Sequence, residues 1–228
     1  MLDLLNFNSI LDYTLLDLAV SNEDIKLLCS NAQKLKVASV CVRPDKVTIA
    51  KKELNHSEVL VCTVVSFPSG ENTIEEKINE TLMALQNGAD EIDVVINYKK
   101  INDPIYLKEE LDALVRLCHS YKNKLSQPTT LKVIVESGLH THEEVRFLTH
   151  LCINADVDYI KTSTGMVNVG AEIEKVKAMS QIIQDFNSAL KIKASGGIRT
   201  MDQMIEFFPF VNRFGIGYQT VNLLNGRI

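Results

Sequence analysis

Short apolar runs alternate with longer stretches of helical period from one end of the chain to the other. No Pro/Gly/Ser linker, low-complexity tract or charge block divides them. The strand-like runs fall at Ile10–Leu15, Ala38–Val42, Val59–Ser66, Glu91–Ile96, Leu131–Glu136, Tyr159–Thr162, Ile192–Ser195 and Arg213–Ile216. Most are apolar at both side-chain parities, which suits parallel strands covered on both faces and not an antiparallel sheet with one wet face. Between them the period changes. Ile74, Ile78, Leu82 and Leu85 recur at steps of four, four and three, and Ile173, Val176, Met179, Ile183 and Phe186 do likewise, so each set predicts the apolar stripe of an amphipathic helix. Thr73 with Glu76 and Thr141 with Glu144 fit the T-x-x-E box, in which side chains satisfy the free N–H groups of a helix start. Ser21, followed by Glu23 and Asp24, predicts a similar start.

Repeated strand-then-helix units with right-handed crossovers have two main solutions, a closed barrel or an open doubly wound sheet. Eight units favour the closed α/β barrel, the (β/α)8 TIM barrel, and no G-x-G-x-x-G follows the first strand to argue for a dinucleotide-binding sheet. We expect a single domain over residues 1–228. Such barrels typically take about 250 residues, so this one needs short loops.

Composition narrows the function classes. The chain is 46% hydrophobic and 23% charged, an ordinary globular balance with enough apolar residues for one large core. A net charge of −5 with no Lys/Arg-rich run offers nothing to a nucleic acid backbone. No apolar stretch approaches the ~20 residues that span a bilayer, and MLDLLNFNSI lacks a basic flank or cleavage site, so we expect a soluble cytoplasmic protein with no membrane partner. Cys29, Cys41, Cys62, Cys118 and Cys152 lie inside apolar runs without a CxxC pair, and are expected to be buried thiols in a reducing compartment.

The most informative position is Lys161 in ADVDYIKTSTG, a lysine at the end of a buried-looking strand. Strand C-termini hold the active site of a barrel, and a lysine losing solvation there favours its neutral, nucleophilic amine. The alternative is a lysine that snorkels to the rim. Lys193, in LKIKASGGIRT on the next strand, could converge on the same pocket, where one ammonium lowers the proton affinity of the other. Lys191, nearer the barrel bottom or edge, is read as structural. In GADEIDVVIN, Asp93 is the deepest of Asp90, Glu91 and Asp93, and its burial calls for a cation, with Lys193 the natural partner. SGGIRT and RFGIGY place glycines after the last two strands, where barrels often bind phosphate. His140 and His142 sit where a loop enters a helix, so no metal site is expected. Cys41 reads as a small apolar wall residue or a rim thiol.

Together LDYTLL, VCVRP, VVSFPSG, GADEIDVVIN, KVIVESG, YIKTSTG, KASGGIRT and RFGIG resemble, in order, the deoxyribose-phosphate aldolase family, from residue 10 to about 217. The resemblance implies reversible cleavage of 2-deoxyribose 5-phosphate to glyceraldehyde 3-phosphate and acetaldehyde. It implies no metal or organic cofactor, a homodimer, and a role in deoxyribonucleotide catabolism. Lys161 matches the Schiff-base lysine, Lys193 the second lysine and Asp93 the aspartate of the proton relay. Asp12, Thr14, Cys41, Thr164, Gly165, Gly196, Gly197, Gly215 and Gly217 fall at substrate-binding positions of the matching motifs. Departures are Gly215-Ile216-Gly217-Tyr218 in place of roughly G-T-S-S, Arg43 for asparagine, Tyr13 for histidine, and an end at Ile228 without a tyrosine-ended tail. Tyr218, much larger than serine, is expected to fill part of the phosphate pocket. Three readings stay open: the phosphorylated substrate, a non-phosphorylated or different short aldehyde, and a sugar-phosphate binding barrel without turnover.

Overall fold

In the computed structural model, which describes residues 7–225, eight parallel strands close into a barrel in chain order, with β1 pairing β8. They are β1 (Leu11–Leu15), β2 (Ser39–Val42), β3 (Leu60–Val65), β4 (Glu91–Val95), β5 (Thr130–Ile134), β6 (Tyr159–Lys161), β7 (Lys191–Ser195) and β8 (Arg213–Gly217). Each is followed by a helix: α1 (Asn22–Leu35), α2 (Val47–Glu53), α3 (Ile74–Gln86), α4 (Pro104–Ser120), α5 (His142–Asn154), α6 (Ile173–Asp185), α7 (Met201–Phe207) and α8 (Tyr218–Asn225). This is the TIM barrel that the sequence pattern predicts, with strand ends within two residues of expectation. No helix among the described residues is long and apolar enough to cross a membrane.

The two strand parities differ more than the sequence pattern suggests. One parity, including Val40, Ile92, Val94, Val133, Ile160, Ile192 and Phe214, faces the helices and forms the main apolar core. The other faces the barrel interior and carries Asp12, Cys41, Cys62, Glu91, Asp93, Lys132, Lys161, Lys193 and Arg213. The alternation of period two therefore divides packing from chemistry.

Ser21, Thr73 and Thr141 each form a complete capping box, with Asp24, Glu76 and Glu144, and Thr200 with Gln203 makes a fourth before α7. The helix faces are less regular than the apolar spacing predicts. On α3 the buried residues are Lys77, Thr81, Ala84 and Leu85, while Ile74, Ile78 and Leu82 are only half-buried. Lys77 is buried because its ammonium meets Glu110 on α4. Phe186 lies just past α6, 58% exposed, with its ring edge-on to His150 at 4.8 Å.

Candidate active site

A parallel barrel brings every strand C-terminus to one rim. Lys161 is the last residue of β6, and its side chain is 5% exposed. Its Nζ donates to Oδ2 of Asp93 at 2.7 Å. The register pairs Lys161 with Lys193 across β6 and β7, so Lys193 reaches the same oxygen at 2.6 Å and also binds the carboxylate of Asp12. The convergence expected of Lys161, Lys193 and Asp93 is present.

Two further cations complete the arrangement. Lys132, paired in register with Asp93, donates to Oδ1 of Asp93 at 2.9 Å and to Oε2 of Glu91 at 2.6 Å. Arg213 donates to Oδ1 of Asp12 at 2.7 Å and to Oε1 of Glu91 at 3.2 Å. The sequence signal for both was available: each is a charged residue on the inward parity of a barrel strand. The result is one buried network of three carboxylates (Asp12, Glu91, Asp93) and four basic side chains (Lys132, Lys161, Lys193, Arg213).

Any of these ions buried alone would cost several kcal/mol, which is why the group holds together only as a set. Burial by itself would raise the pKa of Asp93, but Lys132, Lys161 and Lys193 outweigh it and hold the carboxyl well below its ordinary range. Asp12 is lowered in the same way, against burial, by Lys193, Lys132 and Arg213. Burial would strip the proton from Lys193, yet Asp12 and Asp93 push its pKa above that of an ordinary lysine. Lys132 is likewise raised, against burial, by Asp93, Cys62, Glu91 and Asp12.

Cys41, Cys62 and Asp93, and also Asp12, Cys62 and Glu91, bring possible ligand atoms within 4.8 Å of one another. The Lys132 ammonium sits among them, 3.3 Å from the Cys62 sulfur, bonded to Glu91 and Asp93 and 3.6 Å from Asp12, so the protein supplies its own cation there. His140 and His142 do not converge. His140 is buried edge-on to Tyr98 at 6.1 Å, and His142 is exposed on the first turn of α5. Lys191 is exposed, with its Nζ over the Tyr159 ring at 5.5 Å.

Above the network a recess of about 180 Å³ opens at the C-terminal rim, lined by Thr14, Lys161, Thr164, Gly165, Gly196, Gly197, Arg199, Gly215, Gly217 and Thr220 among others. A larger recess of about 420 Å³, around Ser9, Lys36 and Glu58, lies at the N-terminal end and holds none of the strand-end chemistry. Asp12, Cys41, Asp93 and Lys193 lie beneath the floor of the rim recess. Cys41 packs in a small apolar cluster with Leu16, Cys62 and Val64, and a hydrogen bond from Cys62 lowers its pKa.

The glycines have distinct reasons. Gly196 and Gly197 follow β7 at φ +84° and +78°, a left-handed turn that curls the backbone round the recess. A Cβ on Gly215 would lie 2.9 Å from Cε of Lys193, so this glycine makes room for the buried lysine. Thr164 lines the recess, but its hydroxyl donates to Oε2 of Glu136 at 2.6 Å and accepts from the Met166 N–H at 3.0 Å. Only one lone pair of that oxygen is left for a ligand.

Tyr218 corrects an expectation. It lies outside the recess, in a crevice with Leu15, Asn31 and Asn222, and its ring meets Tyr13 edge-on at 6.3 Å. Tyr13 also faces away from the barrel interior, its hydroxyl donating to the side chain of Asn222 on α8. The tyrosines fasten α8 to β1 and leave the recess open, while Thr14 and Thr220 supply hydroxyl-bearing residues to its wall.

The sequence profile described as "DeoC/LacD family aldolase" matches residues 10–208. A deoxyribose-phosphate aldolase of Mycoplasmoides pirum is 43% identical over 197 residues, covering 86% of each chain. A deoxyribose-phosphate aldolase of Metamycoplasma arthritidis is 39% identical over 215 residues, covering 93% of this chain and 94% of the relative. The tetrameric deoxyribose phosphate aldolase structure from Aeropyrum pernix superposes with a TM-score of 0.86 at 25% identity, over 98% of this chain and 93% of that one.

Proposed function

The chain belongs to the DeoC/LacD family of aldolases, and from that premise we propose that it reversibly cleaves 2-deoxyribose 5-phosphate to glyceraldehyde 3-phosphate and acetaldehyde through a Schiff base on Lys161. The Lys161 amine adds to the C1 carbonyl, whose oxygen leaves as water, giving an iminium. Loss of the proton from the C3 hydroxyl breaks the C2–C3 bond, and its electron pair neutralises the iminium as an enamine. Protonation of the enamine carbon and hydrolysis release acetaldehyde and restore the amine. Asp93 and Lys193, with a water, move these protons. The Gly196–Gly197 turn, Arg199 and Thr220 receive the phosphate.

The observation that carries this reading is the position of Lys161, which lines the recess while its amine is bonded to the fully buried carboxylate of Asp93. As a neutral amine it leaves three cations facing three carboxylates. The clear rim favours the phosphorylated substrate over a short non-phosphorylated aldehyde, because Tyr218 takes no part of the space a phosphate needs.

The test is mass spectrometry after borohydride reduction with acetaldehyde and, separately, with 2-deoxyribose 5-phosphate. Adducts on Lys161 with both are expected. An adduct with acetaldehyde alone would replace the substrate, and none with either would leave a binding barrel. Lys161→Ala should abolish turnover. The family resemblance extends the reading to a cytoplasmic homodimer acting in deoxyribonucleotide catabolism. Light scattering tests the assembly, a tetramer like that of the Aeropyrum pernix relative being the competing result.

A further inference from the structure

The mechanism uses Lys161, Lys193 and Asp93, but it leaves Lys132 and Glu91 without a task. Lys132 is fully buried on β5, below the reacting atoms, and it has no path to a substrate in the rim recess. It grips the oxygen of Asp93 that Lys161 and Lys193 do not use, and it shares Glu91 with Arg213. With Lys161 neutral, the positive charges of Lys132, Lys193 and Arg213 balance Asp12, Glu91 and Asp93. With Lys161 protonated, the same buried network carries one excess positive charge.

The geometry points to Lys132 as a positioning residue that sets the pH range of catalysis: its fixed charge on the far side of Asp93 keeps Lys161 available as a free amine, with Glu91 as the counterweight. This rests on Lys161 being the Schiff-base residue. Lys161 bonds Asp93 directly, and the other titratable groups of the barrel interior come from the neighbouring strands. Asp12, Cys41 and Cys62 come from β1, β2 and β3, Glu91 and Asp93 from β4, and Lys193 and Arg213 from β7 and β8. Glu136 lies just past β5, bonded to Thr164, and is the same in every comparison below. The retained charge of Lys132 accords with its environment, since the carboxylates of Asp93, Glu91 and Asp12 outweigh the burial that would neutralise it.

Charge balance makes a prediction that packing does not, namely that two deletions in one network act with opposite sign. Lys132→Met makes protonated Lys161 the balanced state. It should move the pH midpoint for borohydride trapping of acetaldehyde at Lys161 upward by about one to two units, since two charges a few ångströms apart in a protein interior interact on that scale. Each unit is a tenfold loss of trapping rate on the acid side of the midpoint. Glu91→Gln should move the midpoint downward. Lys132→Met/Glu91→Gln restores the balance and should return it to within about half a unit of the unaltered protein, and Lys132→Arg should leave it there.

The measurement is the initial trapping rate against pH for the five proteins, with circular dichroism confirming the fold of each. Equal midpoints throughout, or shifts of one sign for both single variants, would overturn the assignment while leaving the Schiff base intact. Absence of any adduct at Lys161 in the unaltered protein would remove the proposed function and this inference with it. If Lys132→Met does not fold, the downward shift of Glu91→Gln and the restored midpoint of the double variant decide the matter.

Discussion

Replacing Glu110 with leucine strands a charge inside the barrel wall. Lys77 on α3 and Glu110 on α4 are both fully buried, and they bond each other at the end of β4. The Lys77 ammonium also donates to the Val95 carbonyl at 2.8 Å, and the Glu110 carboxylate accepts from the Asn97 N–H at 3.2 and 3.3 Å. Burial raises the pKa of Glu110 and lowers that of Lys77, in each case against the pull of the partner, so desolvation outweighs attraction for both. Such a pair is worth little compared with apolar neighbours, but half of it is worse than none. Removing one partner of a buried pair costs about 3–5 kcal/mol. The Asn97 N–H loses its acceptor for about 1–3 kcal/mol more. Glu110→Leu should therefore cost about 4–8 kcal/mol out of a total stability of roughly 5–15. In Lys77→Met/Glu110→Leu no charge remains. Relief of about 1–4 kcal/mol is set against two unpaired backbone groups at about 1–3 each, for a net loss near 2. Urea unfolding followed by circular dichroism reads both. A single variant within 1 kcal/mol of the parent, or a double variant no milder than Glu110→Leu, would refute the reasoning.

Arg199→Ala should raise KM for 2-deoxyribose 5-phosphate at least several-fold with little change in the trapping of acetaldehyde, and an equal effect on both would remove the arginine from the phosphate site. Gly197→Ala meets no atom within 4 Å but forces a side chain onto φ +78°, so a loss of about 1–2 kcal/mol is expected from backbone strain alone. For pH, Asp12 and Asp93 have lowered pKa values, so their contribution is present above about pH 4 and is lost as pH falls further, while Lys132 and Lys193, with raised values, contribute below about pH 10.5 and lose that contribution as pH rises through their folded values. A Tm that rises below pH 4 would contradict this. Cys29, Cys118 and Cys152, pushed up to about 12 chiefly by burial, should resist iodoacetamide at pH 8 until the protein unfolds, as peptide mapping would show.

The barrel was legible because strand and helix periods alternate cleanly and because capping residues announce α1, α3 and α5. The reactive end of the site was legible for a related reason: Lys161, Lys193 and Asp93 are charges inside otherwise apolar runs. Lys132 carries the same signal, but recognising it as the partner of Asp93 needs the β4–β5 register, which the sequence pattern does not specify. Lys77 was hidden for a stronger reason, since its burial depends on an acid 33 residues away on another helix. Apolar spacing therefore chose Ile74, Ile78 and Leu82 as the inner face of α3. The direction of Tyr218 was equally out of reach, because it is settled by how α8 packs beside Tyr13 at the seam of the barrel.

That seam gives the catalytic network another meaning. Asp12 belongs to the first strand, while its cationic partners Lys193 and Arg213 belong to the last two, 181 and 201 residues further on. Until β8 docks against β1, Asp12 has neither partner and the charge count around Lys161 is incomplete. A refolding chain can thus acquire most of its helices and much of its sheet while remaining chemically silent. Recovery of the reactive amine, timed against recovery of helical signal, would serve as a clock for the joining of the two ends of the chain.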